Sequence, residues 1–299
     1  MSHRVTVVTP SFNQGRFLSR TVRSVLDQEF DGELEYLVRD GGSSDETVSI
    51  LRGFGDRIDW TSAPDGGQAD AVNQALSGAT GDIVGWLNSD DIYYPGAIAA
   101  VCAAFDADPT ADLVYGSANH IDDRDCVLEP YPVEDWNFER LISTCYLCQP
   151  AVFFRKSVVG RFGALDPSLR YAMDYEYWLR LASKGARFLR IPATLAGSRL
   201  YPTNKTLGSR RAVHREINDV LRRHLRRVPD RWLANYAHAV LEERGIRPTD
   251  VPRFPLMVSA MSLLAALRWN HRISLEMART VGGWTRGALD AWRRGATQA

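Results

Sequence analysis

The amino-acid sequence predicts an α/β fold: a mostly parallel sheet with helices on both faces, followed by an all-helical extension. Short apolar, β-branched runs alternate with helix-like stretches in the first half, as in βαβ units. Strand-like runs are absent beyond residue 206. Residues 1–204 hold 18 Lys and Arg against 28 Asp and Glu, whereas residues 205–299 hold 18 against 8. We therefore expect two domains, at 1–205 and 206–299.

The first domain is predicted to alternate between strands and helices. Strands are expected at Val5–Thr9, Leu34–Arg39, Ile58–Thr61, Ile83–Leu87 and Leu113–Tyr115, and helices at Phe17–Gln28, Asp45–Gly53, Ala69–Ser77 and Ala97–Phe105. An irregular stretch from about 118 to 172 precedes a helix at Asp174–Ser183 and short strands at Phe188–Ile191 and Leu195–Arg199. Ligands bind beyond the carboxyl ends of strands in such sheets, so the residues after each strand are the first candidates.

The extension is predicted to hold helices near 209–226, 230–244, 254–270 and 272–293. The apolar run Phe254–Leu267 is too short to span a bilayer. The last helix carries arginines around one apolar face, which is typical of an interfacial helix; that face comprises Ile273, Met277, Val281, Trp284, Ala288 and Trp292. We expect residues 254–296 either to bind a membrane surface or to pack on protein, in the same chain or in a homodimer. No nucleic acid partner is expected, because no known binding module is present.

The cysteines and the N-terminus indicate the cellular compartment. Four cysteines, Cys102, Cys126, Cys145 and Cys148, are too few for a disulfide framework in a chain of this length. Cys145 and Cys148 form a C-x-x-C pair without a second pair at zinc spacing, so we expect reduced structural thiols. No signal peptide is visible, because a strand begins at Val5. We expect a cytoplasmic protein, peripheral on the inner face of the membrane if the extension binds lipid.

Polar segments follow four successive predicted strands: Thr9–Gln14, Asp40–Asp45, Asp65–Asp70 and Asn88–Asp91. Each is rich in Asp, Gly, Ser or Asn. In a parallel sheet these segments share one edge, which favours a ligand site over four unrelated turns. Asp40 precedes two glycines, so backbone can approach a ligand closely while the carboxylate accepts hydrogen bonds from a base or ribose.

The Asp90-Asp91 pair follows the buried strand directly and suits a hard divalent cation. Mg²⁺ and Mn²⁺ are bound by one or two carboxylates together with substrate phosphate oxygens. A solvated acidic turn is the alternative. Neither a G-x-G-x-x-G fingerprint after the first strand nor a G-x-x-x-x-G-K-[ST] loop is present. Phosphate binding would therefore depend on a metal, and Mn²⁺ or Mg²⁺ is the expected cofactor.

Five segments form an ordered set of motifs: Val7–Asn13, Arg39–Asp45, Leu87–Asp91, Gln149–Arg155 and Met173–Leu181. Together they resemble the family 2 glycosyltransferases, which are inverting enzymes of the GT-A fold. The resemblance covers about 4–205; each motif alone is weak, whereas the ordered set is specific. It implies a Rossmann-like GT-A sheet and a setting in bacterial surface-polysaccharide assembly.

The resemblance also implies roles for matching residues. Thr9–Ser11 fall in the loop around the nucleotide base, and Asp40 falls on the base-binding acid. Asp91 falls on the metal-binding acid, and Asp90 on an acid near the ribose and metal. Asp174 falls on the catalytic base. The predicted nucleotide-sugar contacts are Thr9, Pro10, Ser11, Asp40, Gln68, Asn88, Asp90, Arg199 and Lys205.

Two positions depart from the family pattern. Met173 precedes Asp174 where members often carry Glu, and Tyr201 lies near the position of a frequent His, which puts a His ligand in doubt. Arg199 and Lys205 remain candidates for diphosphate contacts. Inversion in one displacement needs one base near the acceptor hydroxyl. Asp174 suits this role, although an acid in a first helical turn is also favoured by the helix dipole alone.

The predicted function is metal-dependent, inverting transfer of a sugar from a nucleoside-diphosphate sugar to a hydroxyl of a glycan or lipid-linked glycan. A UDP-sugar is the first expectation for the donor. A nucleotidyltransferase is one alternative, but it would need a Gly-rich basic loop after the first strand. The second alternative is a non-catalytic module that binds sugar or nucleotide.

Overall fold

The chain forms two compact units. The computed structural model describes residues 3–202, 204–251 and 253–296. Within these, the first unit comprises the chain up to Leu141 and Cys145–Pro202, and the second comprises Ile142–Thr144 and the chain from residue 204 onwards. Ile142 belongs to the second unit, where its carbonyl accepts a hydrogen bond from Trp232 Nε1 at 3.0 Å. A functional division of the chain at residue 205 stays a prediction.

The first unit is built on a sheet that has nine strands in the described residues. They are β1 (His3–Ser11), β2 (Gly32–Asp40), β3 (Asp59–Ser62), β4 (Ile83–Trp86), β5 (Ile92–Tyr93), β6 (Leu113–Ile121), β7 (Val127–Pro130), β8 (Val152–Arg155) and β9 (Phe188–Arg199). The order is β3-β2-β1-β4-β8-β6-β9-β5, with β7 paired to β6. Six strands run in one direction, and β5, β7 and β8 run against them.

The parallel half of this sheet places the candidate site. β1 pairs with β2 and β4, and β2 pairs with β3, all in parallel. Val5, Val7 and Val38 are fully buried, because helices cover the sheet and leave no solvated face for these strands. The carboxyl ends of β1 to β4 therefore lie at one edge, as the sequence predicted.

The helices around the sheet follow the apolar spacing of the sequence. They are α1 (Gly15–Leu26), α2 (Thr47–Phe54), α3 (Gln68–Gly78), α4 (Ala97–Ala107), α5 (Phe138–Ser143), α6 (Ser157–Phe162) and α7 (Met173–Ser183). In α1, Leu18, Val22 and Val25 recur at helical spacing and are fully buried, so one stripe of the helix packs on the core. The predicted fold class, a mostly parallel α/β sheet covered by helices, is confirmed.

The stretch expected to be irregular contains a central strand. β8 lies between β4 and β6 and is antiparallel to both. Val152, Phe153 and Phe154 are all buried, so the strand shows no alternation of apolar and polar residues, and periodicity cannot distinguish it from a short helix. The two strands expected between 188 and 199 form one strand, which continues through Pro192.

The second unit is helical in its described residues, as the sequence predicted for the extension. Its helices are α8 (Lys205–Gly208), α9 (Arg210–Leu225), α10 (Asp230–Glu243), α11 (Arg253–Asn270) and α12 (Leu275–Ala296). Ala237 and Leu241 of α10 pack against Phe254 and Val258 of α11. No described helix has the length and apolarity required to cross a bilayer.

The apolar face of α12 faces the interior of the second unit. Met277, Val281 and Ala288 are buried, and Trp284 packs against the core formed by α10 and α11. Of the other two residues of the predicted face, Ile273 is 42% exposed, and the side chain of Trp292 lies outside the described residues. The face expected to contact a membrane is therefore largely occupied by packing within the unit.

Candidate active site

Asp91 is a buried carboxylate just beyond the end of β4. Its Oδ1 accepts a hydrogen bond from the backbone N–H of Arg199 at 2.8 Å, and its Oδ2 lies 3.3 Å from Asn88 Nδ2. Burial, and then the negative charge of Asp90, raises the pKa of Asp91 well above its usual value. The adjacent carboxylates of Asp90 and Asp91 therefore repel each other when both are ionised, and a bound cation would relieve this repulsion.

Asp90 is half-buried and held at two points. The hydroxyl of Tyr201 donates to its Oδ2 at 2.8 Å, and Arg199 Nε donates to its carbonyl at 2.6 Å. Burial raises the pKa of Asp90, although the Tyr201 hydrogen bond and the Arg199 charge oppose that shift. Arg199 and Tyr201, which are distant in sequence, thus orient the two acids through hydrogen bonds.

The Arg199 side chain is fully buried, and its described contacts are with protein atoms. Its NH2 group lies 2.5 Å from Asp125 Oδ1, and its NH1 group donates to the carbonyl of Asp122 at 2.5 Å. The guanidinium also lies over the ring of Phe17, at 4.6 Å from its centroid. Arg199 therefore fixes the Asp90-Asp91 turn and compensates its charge; a direct contact with a diphosphate stays a prediction.

Tyr201 links the first loop to the acidic pair. Its hydroxyl accepts a hydrogen bond from Gln14 Nε2 at 3.1 Å while donating to Asp90. Its ring packs on Phe17 with centroids 5.0 Å apart. Burial and the nearby Asp90 charge raise the pKa of Tyr201, so the phenol remains a proton donor at neutral pH. The sequence indicated only that Tyr201 lies near a position where the family often has a histidine. Its hydrogen bonds with Gln14 and Asp90 were not predicted.

Asp40 lies at the end of β2, in a cradle of donors. Its Oδ2 accepts hydrogen bonds from the N–H groups of Gly42 at 3.2 Å and Ser43 at 2.9 Å, and from Ser62 Oγ at 2.6 Å. Gly42 has φ 82°, a left-handed conformation that turns the chain back toward Asp40. Within the part of the chain that the structure describes, Oδ1 accepts a single hydrogen bond, from Ser43 Oγ at 2.5 Å. A second acceptor lone pair on Oδ1 can therefore receive a ligand N–H.

Thr9–Ser11, which the resemblance placed in a loop around the nucleotide base, are the last three residues of β1 and pair with β2. Thr9 is buried, and its hydroxyl lies 3.1 Å from Tyr36 Oη, so its side chain belongs to the core. Pro10 is also buried. The Ser11 hydroxyl is buried and has no hydrogen-bond partner within the described part of the chain. An unsatisfied buried hydroxyl is costly, so Ser11 is the residue of this segment best suited to bind a ligand atom.

An amide network joins the third and fourth strand ends. Gln68 Nε2 donates to Asn88 Oδ1 at 2.8 Å, and Asn88 Nδ2 donates to Gln149 Oε1 at 2.8 Å. Gln149 Nε2 then donates to the carbonyl of Trp86 at 2.5 Å. The structure thus brings together the predicted contacts Gln68 and Asn88. Gln149 was not among the predicted site residues, although it begins the fourth motif of the resemblance.

Asp174 lies half-buried in the first turn of α7. The N–H of Tyr175 donates to its Oδ1 at 2.8 Å, and the helix is anchored by buried Tyr177 and Trp178. The negative charges of Asp91 and Asp174 both act on the buried Cys148 thiol and, after burial itself, contribute to its raised pKa. The two acids therefore lie in the same part of the first unit.

Cys145 and Cys148 are free thiols in this region. Burial, and then the charge of Asp174, raises the pKa of Cys145, and burial likewise raises that of Cys148. Neither thiol therefore has the lowered pKa of an activated nucleophile. Lys205 is the first residue of α8 and belongs to the second unit, so its predicted diphosphate contact stays a prediction.

The described residues contain no group of three or more His, Cys, Asp and Glu side chains arranged to hold a metal. A cation that takes most ligands from substrate phosphate and water does not need such a cage. The Asp90-Asp91 pair fits that mode, because its two adjacent carboxylates repel each other and a cation would relieve that repulsion.

The sequence model described as "Glycosyl transferase family 2" matches residues 6–159, about half of the chain. The protein belongs to this family. It is a glycosyltransferase. The matched range begins within β1 and extends past β8, so it includes the acidic pair, whereas Asp174, Arg199 and Tyr201 lie beyond it.

Relatives of this glycosyltransferase support the assignment. An uncharacterized glycosyltransferase of Mycobacterium tuberculosis is 36% identical over 181 residues, which cover 60% of this chain and 68% of the relative. A "PGL/p-HBAD biosynthesis glycosyltransferase" of Mycobacterium bovis is 28% identical over 193 residues, covering 62% of this chain and 72% of the relative.

Solved structures share the fold at low identity. S. aureus TarS 1-349 in complex with UDP-GlcNAc has a TM-score of 0.63 at 14% identity and covers 99% of this chain and 92% of that chain. The mannosyltransferase PcManGT from Pyrobaculum calidifontis, in complex with GDP-Man and Mn²⁺, has a TM-score of 0.60 at 18% identity. The match covers 99% of this chain and 84% of PcManGT. These likenesses confirm the GT-A fold class.

Proposed function

We propose that this glycosyltransferase transfers a sugar from a nucleoside-diphosphate sugar to a hydroxyl of a glycan or lipid-linked glycan, with inversion and with a divalent metal. The observation that carries the proposal is the desolvated Asp90-Asp91 pair at the carboxyl edge of the sheet, in the same region as Asp174. A metal-binding acid and a base are the two groups that this reaction requires.

Asp91 is the residue best suited to hold Mn²⁺ or Mg²⁺, with Asp90 beside it toward the ribose. When bound, the metal supplies positive charge against the diphosphate that leaves with the nucleotide. Arg199 keeps the turn in place and offsets part of the acidic charge before any ligand arrives.

Asp174 is the proposed base. Its carboxylate takes the proton of the acceptor hydroxyl as that oxygen attacks the anomeric carbon from the side opposite the diphosphate. The rigid first turn of α7 favours this role, because Tyr177 and Trp178 anchor the helix in the core. A single displacement with one base inverts the anomeric configuration.

Asp40 and Ser11 are the proposed contacts of the nucleotide base. Asp40 Oδ1 can accept the N–H of uracil, and the Ser11 hydroxyl would gain its missing partner. The complexes of TarS with UDP-GlcNAc and of PcManGT with GDP-Man support a nucleotide-sugar donor. UDP-sugars are the first to test. The name of a Pasteurella multocida chondroitin synthase, 28% identical over 193 residues, favours a glycan acceptor.

The test is sugar transfer by Asp91→Asn and Asp174→Asn with a competent donor and acceptor. Each variant is expected to lose at least about 100-fold in kcat, because it lacks transition-state charge stabilisation or the base. Asp56→Asn is the matched control, since Asp56 is an exposed acid in the 55–57 turn. Near wild-type transfer by both site variants would refute the proposal.

A folding control separates catalysis from stability. Asp91→Asn removes the repulsion between a buried carboxylate and its half-buried neighbour, so its Tm without metal is expected to equal or exceed that of the wild type. UDP with Mn²⁺ should raise the Tm of the wild type but not that of this variant. Nucleotide binding without any transfer would instead favour a non-catalytic binding module.

A further inference from the structure

Exposed apolar side chains are concentrated in the second unit. Of the ten large exposed hydrophobic residues in the described chain, seven lie between Val251 and Leu289. The other three, Phe12, Val127 and Leu128, lie on the first unit. Scattered exposed leucines are ordinary on a protein surface, whereas a cluster on one element marks an interaction surface.

Helix α11 carries the centre of this cluster. Leu256, Leu264 and Leu267 are 38%, 58% and 48% exposed, and at 100° per residue they fall within an arc of about 80°. We call these three residues the leucine stripe. The opposite face, with Phe254 and Val258, packs in the core of the unit. The stripe is therefore an outer face, distinct from the surface that folds the bundle.

Arginines are the main charged residues in this part of the chain. Residues 253–296 contain seven Arg and no Lys, against two acids, Glu276 and Asp290. Arg253 and Arg268 are exposed on the same side of α11 as the stripe, and the Arg268 guanidinium lies over the ring of Trp269, at 4.9 Å from its centroid. Apolar side chains at the centre with guanidinium groups at the margin match a surface that is apolar inside and anionic outside.

We propose that the leucine stripe docks on the surface of a bilayer that contains anionic lipid. The leucines enter the boundary between headgroups and acyl chains, and the flanking arginines bind lipid phosphates. Membrane contact by this route uses the outer face of α11 and does not require the apolar face of α12, which the bundle occupies. This membrane docking does not depend on sugar transfer or on which nucleotide sugar is the donor.

The experiment is cosedimentation of the full-length protein with vesicles of phosphatidylcholine, alone or with phosphatidylglycerol. Binding is expected only with the anionic lipid and should weaken at least about tenfold in 0.5 M salt. The double variant Leu264→Gln/Leu267→Gln should bind at least about tenfold more weakly. Val127→Gln/Leu128→Gln is the matched control, since both residues are 56% exposed on β7, and should bind like the wild type.

A charge variant tests the second half of the proposal. Arg253→Gln should weaken binding to phosphatidylglycerol vesicles several-fold while leaving Tm unchanged, because its side chain is exposed. Failure of the wild-type protein to bind anionic vesicles, or an equal loss in the Val127/Leu128 control, would overturn the proposal. So would a wild-type dimer in light scattering that Leu264→Gln/Leu267→Gln makes monomeric, because a second copy would then cover the stripe.

Discussion

Tyr201 follows β9 at a position where the family often carries a histidine. A neutral phenol does not bind a metal as an imidazole nitrogen does. Burial and the charge of Asp90 raise the pKa of Tyr201 and keep its phenol protonated. Its hydroxyl holds Asp90 Oδ2 at 2.8 Å and receives Gln14 Nε2 at 3.1 Å. Tyr201 therefore acts as a positioning residue, which orients Asp90 and ties it to the loop after β1.

Tyr201→Phe is expected to release Asp90 without unfolding the protein. Loss of one hydrogen bond to a charged group is worth about 1.5–3 kcal/mol, so the Mn²⁺ concentration for half-maximal activity or the donor KM should rise at least about tenfold. The measurement is transfer rate against Mn²⁺ and against donor. Tyr115→Phe is the control, because its hydroxyl donates to the Glu134 carbonyl at 3.0 Å, within the first unit. Unchanged Mn²⁺ and donor dependence would contradict the positioning role.

At the scale of elements, α9 and α10 hold a histidine that burial keeps neutral. The ring of His214 lies 5.9 Å from that of Trp232, and its Nδ1 is buried without a hydrogen-bond partner in the described structure. Burial, and then the charges of Arg210 and His238, lowers the pKa of His214 to about 4. Protonation of this ring therefore favours the unfolded helices.

The stability of the helical unit is expected to fall with acid. An unfolded His titrates near pH 6.5, so the His214 contribution is complete above that pH and is lost as the pH falls toward about 4. The full loss is about 3 kcal/mol. His214→Phe keeps a ring beside Trp232 and should reduce the drop in Tm between pH 7 and pH 5, measured by circular dichroism.

The control for this effect is His271→Asn. His271 is exposed and has φ 55°, a conformation that Asn tolerates well, so its replacement should leave the pH profile of Tm unchanged. Equal profiles for the wild type and His214→Phe would show that His214 does not set the acid sensitivity.

At the scale of the whole molecule, the proposed donor contacts other than Lys205 belong to the first unit. UDP with Mn²⁺ should therefore slow hydrogen exchange in the segments after β1, β2, β3 and β4, where the ligand orders the loops. Exchange in α9 and α10 should stay unchanged. Mass spectrometry of peptides covering 9–14, 40–45, 65–70 and 88–91 against 210–225 measures the contrast. Protection confined to α9 and α10 would contradict this placement of the donor.

The fold of the first unit was largely predictable because its signals are local. Strand β4 is an apolar run that ends at a polar turn, and α1 repeats apolar residues at helical spacing, so each is determined by neighbours in sequence. β8 was missed because Val152–Arg155 is short and its apolar residues do not alternate with polar ones. Its place between β4 and β6 depends on pairing partners far away in the chain.

The candidate site was predictable only in part. Asp40 ends β2, Asn88 and Asp91 follow β4, and the common direction of these strands brings the three residues to one edge. The role of Arg199 could not be predicted from its position after a strand. Its backbone N–H meets Asp91 across 108 residues, and its buried guanidinium compensates the pair rather than standing free at the surface.

The sequence by itself determined the fold class, the family and the acids at the strand ends, because periodicity and ordered motifs are properties of the linear chain. Only the tertiary structure decided that Tyr201 orients Asp90, a contact that spans 111 residues, and that α12 turns its apolar face inward. The physical reason is that hydrogen bonds and packing are directional and close-range, so they depend on which distant segments the fold brings together.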